Sequence, residues 1–211
     1  MERYYYGFYW GSRRESLETQ VLKIFKTIQV LELIDKQLGN WVEPSKKIKL
    51  NEITINPIDY KQIYELCVRK LNPKKYLNFD YDYKEITFEL LLGFSKDDLV
   101  SLLFSIGGEY NSPLLCNSCV IKLPYESNIT KLLLIQDNII NIITNLSLIW
   151  DCEFGILTSH EFNLRYKLGN EIGFFNFYKE ANLLKSRLKE KFEIGYYIDN
   201  VFVLKLEGYP C

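Results

Sequence analysis

The sequence contains very few of the residues that most often bind metals or act as general bases. Its 211 residues include one histidine, His160, and five cysteines, of which Cys116 and Cys119 form a Cys-x-x-Cys pair. A structural zinc site needs about four such ligands, and no second Cys-x-x-Cys is present. A nucleophile also needs a base within hydrogen-bond reach, for which one isolated histidine offers little. We therefore expect no metal, no cofactor and no catalysis, and we interpret the cysteines as small buried hydrophobic residues.

The sequence also lacks an excess of charge and a long apolar run. It has 26 basic and 27 acidic residues and a formal net charge of −1, which argues against nucleic acid as a partner. The most apolar stretch, 132–150, is interrupted by one acid and four amides, which are Gln136, Asp137, Asn138, Asn141 and Asn145. The N-terminus has no basic and then apolar segment, and an odd cysteine count fits free thiols. We expect a cytoplasmic protein without a membrane partner.

The remaining composition is that of an ordinary globular protein, with 47% hydrophobic and 25% charged residues. This length fits one domain over residues 1–211. Apolar periodicity predicts strands at 3–10, 86–94, 99–106, 116–123, 148–158 and 172–178, a hairpin of 192–198 with 201–206, and helices at 16–38, 57–70, 128–146 and 181–189. Several strands follow one another without an intervening helix. The predicted fold is therefore α+β, with a largely antiparallel sheet packed against several helices.

Two of the predicted helices have specific expected core positions. The first should bury Leu17, Val21, Ile24, Ile28 and Leu31, which recur at helical spacing before a stop at Gly39 and Asn40. The helix over 128–146 should face the core with its own periodic residues, which are Leu132, Ile135, Ile139, Ile142 and Ile143. Pro57 should occupy the first position of the helix over 57–70, where its missing N–H costs nothing.

The junction between the first strand and the first helix has an unusual local sequence. Trp10 closes the strand, Gly11 permits a sharp or left-handed turn, and Ser12 with Glu15 has the spacing of a capping box. Two arginines, of which Arg13 is the first, would then lie in the first helical turn, where positive charge opposes the macrodipole. We predict that Trp10, Gly11 and Arg13 form a structural motif and that one of the arginines has a partner elsewhere.

This motif, Tyr-Trp-Gly-x-Arg followed by Glu-Ser and a helix, resembles the opening of the immunity protein 52 family, the antitoxins of bacterial polymorphic-toxin systems. Later landmarks of that family are similar and come in the same order, namely Trp41, 92–95, 120–124, Trp150 with Asp151, Gly155 and Ser159. Arg14 stands where the family pattern has proline. The resemblance implies an immunity protein that binds and neutralises a cognate toxin, and many toxins of such systems are nucleases.

One segment combines acidic and aromatic residues in a way that is typical of protein interfaces. Asp80, Tyr81, Asp82, Tyr83 and Glu85 place negative charge beside rigid aromatic area. Such a surface suits an inhibitor of a basic nucleic-acid-cleaving site, because complementary charge raises the association rate and excludes wrong partners. We expect these five residues, the acidic segment, to contact the toxin.

Two other functions remain open from the sequence. Asp59, followed by Asp82 and Lys84, imitates the acidic and acidic-x-lysine spacing of a metal-dependent nuclease. Asp59 lies near a helix start, however, where capping is its commoner role. A scaffold or regulatory module without a toxin is the third possibility. The oligomeric state, the identity of the toxin and the strand order are left open.

Overall fold

The computed structural model describes residues 3–13, 15–43, 57–71, 86–92, 99–107, 117–161, 173–179, 192–198 and 201–206. The chain divides into two compact units, the central unit Tyr9–Ile121 and the terminal unit Met1–Phe8 with Lys122–Cys211. The α+β class is confirmed, whereas the expectation of one domain over 1–211 stays a prediction. Among the described helices, none has both the length and the apolar character needed to span a bilayer.

The described elements, in chain order, are β1 (Tyr4–Trp10), α1 (Leu17–Ile34), a 3₁₀ helix (Lys36–Gly39), α2 (Tyr60–Lys70), β2 (Ile86–Leu92), β3 (Val100–Ile106), β4 (Asn117–Lys122), α3 (Asn128–Leu133), α4 (Gln136–Trp150), β5 (Phe154–Ser159), β6 (Phe175–Tyr178), β7 (Phe192–Ile198) and β8 (Val201–Leu206). The predicted helix over 181–189 lies outside the described residues. The predicted hairpin of 192–198 with 201–206 is confirmed, because β7 and β8 pair antiparallel.

The central unit contains a sheet segment in the order β2-β3-β4. β2 and β3 are antiparallel, with a register that runs from Ile86 opposite Ile106 to Leu92 opposite Val100. Alternate residues of these strands are buried, namely Leu90, Leu92, Val100, Leu102, Phe104 and Ile106. Glu89, Leu91 and Leu103 on the other face are only half-buried. One face therefore belongs to the core and the other is more accessible, as is common in antiparallel sheets.

Helix α1 buries the predicted stripe of Leu17, Val21, Ile24, Ile28 and Leu31, which confirms the core assignment. It ends at Ile34, so the predicted end at residue 38 is wrong. Asp35 adopts an extended conformation with φ −152°, and its carboxylate accepts the backbone N–H of Gln37 at 2.8 Å. This side-chain cap starts a separate 3₁₀ turn, because it competes with continuation of the α-helix.

Helix α2 begins at Tyr60, three residues after the predicted start at Pro57. Asp59 is its N-cap, and it accepts the backbone N–H of Gln62 at 2.8 Å while the Gln62 side chain accepts the backbone N–H of Asp59 at 2.9 Å. This reciprocal capping box satisfies two amides at the helix start. The prediction that Asp59 serves as a helix cap is confirmed.

The terminal unit contains strands in the order β1-β5-β6-β8-β7. β5 pairs antiparallel with β6, and β6 pairs antiparallel with β8. All six residues of β5 are buried, so this strand lies at the centre of the core. β5 begins at Phe154, later than the predicted residue 148, because α4 continues to Trp150 and ends at Asp151 in the left-handed conformation.

The single helix predicted over 128–146 is two helices, α3 and α4, with a break at Leu134 and Ile135. Ile135 is extended and 52% exposed, and Leu132 is only half-buried, so the core prediction is wrong for these two residues. It is confirmed for Ile139, Ile142 and Ile143. Because of this break, α4 starts as a new helix after α3. The apolar periodicity of the sequence runs across the break and does not reveal it.

Side chains satisfy the carbonyl groups that the break leaves without regular helical partners. The hydroxyl of Tyr6, which is fully buried, donates to the carbonyl oxygen of Leu133. The Asn138 side-chain amide donates to the carbonyl oxygen of Leu132 at 2.9 Å. Burial raises the pKa of Tyr6, so its hydroxyl stays protonated and remains a donor. β1 and the α3–α4 break are therefore joined by a buried hydrogen bond.

We predict that Tyr6→Phe lowers the free energy of unfolding by about 1 to 3 kcal/mol, because it leaves a buried carbonyl without its donor while keeping the ring. Chemical denaturation at neutral pH measures this change. Tyr125→Phe, which removes the hydroxyl of a half-buried tyrosine in the same unit, is the matched control and should cost less. Equal stability of Tyr6→Phe and the parent would contradict the role assigned to this hydrogen bond.

Candidate functional site

The acidic segment predicted to bind the partner, together with Lys84, lies outside the described residues. Its two flanks are described, since α2 ends at Lys70 and β2 begins at Ile86. α2 packs against β2 within the central unit. The segment that contains Asp80, Asp82 and Glu85 therefore connects two elements that contact each other. Its role in binding stays a prediction.

Residues 41–43 are attached to both of these flanking elements. The indole N–H of Trp41, which is 3% exposed, donates to the carbonyl oxygen of Leu38 at 2.5 Å. Val42 pairs with Leu91 through two backbone hydrogen bonds of 2.9 and 2.7 Å. The carboxylate of Glu43 contacts Arg69 at 3.1 Å and Lys70 at 2.6 Å. These contacts hold the end of α2 and the edge of β2 to the same short segment.

The junction after β1 has the buried aromatic residue that the sequence predicts. Trp10 is 3% exposed, and the carbonyl oxygen of Gly11 accepts a 2.7 Å hydrogen bond from the Asn117 side-chain amide. Asn117 is itself buried, so this contact joins the start of β4 to the chain after β1. Gly11 does not adopt a positive φ, whereas Gly107 does. The left-handed turn considered for Gly11 is therefore absent.

The capping box predicted from Ser12 and Glu15 is wrong. Ser16 is the N-cap of α1, and its side chain accepts the backbone N–H of Thr19 at 3.2 Å. The Glu15 carboxylate pairs instead with Lys23 at 2.5 Å, and both side chains are only 18% exposed. Because the helix starts at Leu17, Arg13 precedes it and does not oppose the macrodipole in its first turn. Arg14 lies outside the described residues.

Helices α1 and α2 expose a set of apolar side chains that we call the helical apolar surface. Leu22, Leu33, Tyr60 and Val68 are 43%, 85%, 37% and 44% exposed. The Tyr60 ring meets the Phe25 ring edge-on, with the centroids 6.0 Å apart. Four of the six exposed large hydrophobic residues in the described chain belong to this surface. The sequence signal was present, since Leu22 and Leu33 lie off the buried stripe of α1, but it was not used.

A second exposed group, the Arg3 cluster, consists of Arg3, Tyr125, Glu126, His160 and Glu161 in the terminal unit. The Arg3 guanidinium carbon lies 4.4 Å from the centre of the Tyr125 ring. The backbone N–H of Arg3 donates to the Glu161 carboxylate at 3.2 Å. The carbonyl oxygen of Arg3 accepts from the backbone N–H of His160 at 3.4 Å. Sequence reasoning missed this cluster, because its members are up to 158 residues apart.

Three cysteines of the described chain, Cys67, Cys119 and Cys152, are buried and outside any disulfide, which confirms their interpretation as small hydrophobic residues. Burial raises the pKa of the Cys67 thiol to about 12, so it is protonated and unreactive at neutral pH. Cys116 and Cys211 lie outside the described residues. Within the described ranges, no three His, Cys, Asp or Glu side chains converge in a way that could hold a metal ion.

The chain is thus an α+β protein that exposes apolar and aromatic side chains on α1 and α2 and carries the Arg3 cluster in its terminal unit. Residues 2–177 match the family described as immunity protein 52, and the chain belongs to this family. This confirms the resemblance found at Trp10, Gly11 and Arg13.

Among solved structures, the chain is similar to the Pseudomonas aeruginosa T6SS protein PA0821, with 11% identity and a TM-score of 0.49 over 97% of this chain. The match spans 65% of that protein's length. A comparison with curated proteins returned no match.

We predict that Trp10→Ala lowers the free energy of unfolding by about 3 to 5 kcal/mol, because it removes a large buried side chain. Thermal melting measures the loss, and protection of cells against the toxin should fall with it. Tyr9→Ala, one residue earlier and half-buried, is the control and should cost less. An unchanged melting temperature with lost protection would move the motif from the fold to the interface.

A second prediction concerns the charge of Glu161. Hydrogen bonds from its own backbone N–H and from that of Arg3 lower the pKa of this carboxyl, while partial desolvation opposes the change. Because the pKa is lower in the folded state, the ionised carboxylate stabilises the protein above its unfolded-state pKa. This contribution is lost as the pH falls through the folded-state pKa.

Glu161→Gln should therefore be less stable than the parent at neutral pH, and the difference should disappear in acid. NMR titration of the Glu161 carboxyl, with denaturation curves at several pH values, tests both statements. A folded-state pKa in or above the ordinary glutamate range would show that the hydrogen bonds to Arg3 and to its own backbone do not favour the ionised form.

Proposed function

We propose that this chain protects bacterial cells by binding a cognate polymorphic toxin in a stoichiometric complex that covers the toxin's active site or the surface leading to it. The observation that carries the proposal is membership of the immunity protein 52 family over residues 2–177. A nuclease domain is the toxin class we propose, and the cytoplasm is the compartment in which protection takes place. The chain itself contributes binding and no catalysis.

In this proposal the acidic segment supplies the charge that steers association. Asp80, Asp82 and Glu85 would approach a basic nucleic-acid-binding surface, and complementary charge mainly increases the association rate. Tyr81 and Tyr83 would supply rigid contact area, since tyrosine is enriched among the residues that dominate interface energies. The described flanks support this arrangement, because α2 and β2 provide packed ends for the segment.

The helical apolar surface supports a protein as the partner. Four large apolar side chains are exposed on the packed helices α1 and α2, and exposed apolar patches are typical of sites that contact other proteins. Tyr60 rests against Phe25, so its ring is already positioned before a partner binds. Lower loss of side-chain freedom on binding favours affinity. This surface belongs to the same unit as the flanks of the acidic segment.

A metal-dependent nuclease made from Asp59, Asp82 and Lys84 has weaker support. Asp59 is the member of this set that lies in the described chain, and its carboxylate already accepts the Gln62 N–H at the start of α2. That hydrogen bond explains the residue without a metal. A nuclease assay of the purified protein with magnesium or manganese separates the two functions, and cleavage abolished by Asp82→Ala would favour the enzyme.

We predict that Asp80→Lys with Asp82→Lys slows association with the purified cognate toxin about 10-fold or more at low salt, with a smaller effect at high salt. Tyr81→Ala or Tyr83→Ala should instead speed dissociation, by about 30-fold for an anchoring residue. Biolayer kinetics at two salt concentrations, with a cell-survival assay, measure both effects.

The matched control is Asp137→Lys with Glu153→Lys. It changes the net charge by the same amount, at two exposed acids of the terminal unit. It should bind as the parent does, and circular dichroism should show that every variant is folded. Parent-like binding and protection by all the acidic-segment variants would place the interface elsewhere. Absence of any complex between the parent and the toxin would contradict the proposed function itself.

A further inference from the structure

The Arg3 cluster holds one exposed arginine in an unusually fixed position. The backbone of Arg3 is held at both its polar groups, since its N–H donates to Glu161 at 3.2 Å and its carbonyl accepts from His160 at 3.4 Å. The side chain lies over the ring of Tyr125, with the guanidinium carbon 4.4 Å from the ring centre. Stacking of this kind limits the rotamers of an arginine that would otherwise move freely in water.

The surface beneath the guanidinium is also held in place. Tyr125 follows Pro124, whose carbonyl oxygen accepts the Thr130 hydroxyl at 2.7 Å. Glu126 has a positive φ of 45°, and Ser127 then caps α3 by accepting the Thr130 N–H at 3.0 Å. The ring is therefore carried by a short turn whose two ends are fixed by hydrogen bonds. Arg3 and Tyr125 form a preorganised pair.

Within the described part of the chain, no group accepts a hydrogen bond from the Arg3 guanidinium. The guanidinium carbon lies over the face of the Tyr125 ring, and the five N–H donors of an arginine lie around the rim of the guanidinium plane. Among the described residues, no carboxylate forms an ion pair with this guanidinium, whereas Lys23, Arg69, Lys70 and Lys179 each have one. An exposed, stacked arginine with a free edge is suited to bidentate binding of a carboxylate.

We infer that Arg3, supported by Tyr125, is an anchor that binds an aspartate or glutamate side chain on the surface of the toxin. This inference rests on the proposed function. Arginine and tyrosine are among the residues most enriched at interface hot spots, and a preorganised pair loses little freedom on binding. The anchor is a feature of the terminal unit and is separate in sequence from the acidic segment.

The charges around Arg3 specify the kind of partner further. Glu161 accepts a hydrogen bond from the Arg3 backbone and also interacts electrostatically with the N-terminal amine and His160. Glu126 is exposed one residue after Tyr125, so the cluster carries charges of both signs. A nucleic acid offers only phosphates to such a cluster and leaves its glutamates without a partner of opposite charge. A protein surface that carries a carboxylate together with basic side chains is complementary to a cluster with charges of both signs. The partner chemistry is therefore a mixed-charge protein surface.

The test uses the full chain and a catalytically inactivated form of the cognate toxin domain. Arg3→Ala should weaken the complex about 30-fold, as expected for an interface anchor. Arg3→Lys keeps the charge but loses the planar donor edge, so it should recover only part of the affinity. Tyr125→Leu should mainly speed dissociation, whereas Tyr125→Phe keeps the ring and should restore binding. All four variants should have the same melting temperature as the parent.

Lys179→Ala is the charge-matched control, because Lys179 is exposed and already pairs with Asp151 at 2.6 Å. It should bind as the parent does. If the parent binds the toxin while Arg3→Ala and Tyr125→Leu bind equally well, the anchor is wrong and the proposed function stands. Arginine-dependent binding of a single-stranded oligonucleotide instead of the toxin would contradict a carboxylate partner. No binding of the toxin by the parent would overturn both proposals.

Discussion

Each place where a helix or strand ends leaves backbone groups without their regular partners, and this constraint governs how the described chain is held together. The carbonyl oxygens of Gly11, Leu38, Pro124 and Leu133 all accept from side chains, which are those of Asn117, Trp41, Thr130 and Tyr6. A buried carbonyl without a donor costs more than an average hydrogen bond contributes. The side chains that close these gaps therefore stabilise the fold in addition to the apolar core.

Sequence periodicity predicted which elements exist far better than where they begin and end. The buried stripe of α1 was visible because one side of a helix needs apolar residues every three or four positions. Its cap was not, since Ser12 has a glutamate three residues later and Ser16 does not, whereas in the structure Ser16 caps the helix and Glu15 pairs with Lys23. The α3–α4 break was hidden for a related reason. The carbonyl oxygen of Leu133 at this break accepts from Tyr6, a residue that is 127 positions away.

The candidate sites divide in the same way. Trp10 and Gly11 were recognisable because a family motif is a local string of residues. Acidic and aromatic residues between 80 and 85 could be selected from composition alone, and their role is still a proposal. The sequence gives no sign that Arg3 and Tyr125 belong together. They lie more than 100 positions apart, before β1 and after β4, and only the folded chain brings the guanidinium over the ring. Tyr60 and Phe25 likewise become one surface only when α2 packs on α1.

The pairing of Val42 with Leu91 has a consequence for self-association. β2 is an edge strand of the central unit. The unpaired backbone N–H and C=O groups of an edge strand can pair with an extended segment of another chain. Val42 uses both the N–H and the carbonyl of Leu91. A second copy of this protein could therefore add a strand at that point only after displacing Val42, which Trp41 and Glu43 hold in place on either side. Three consecutive residues thus protect part of the sheet against aggregation.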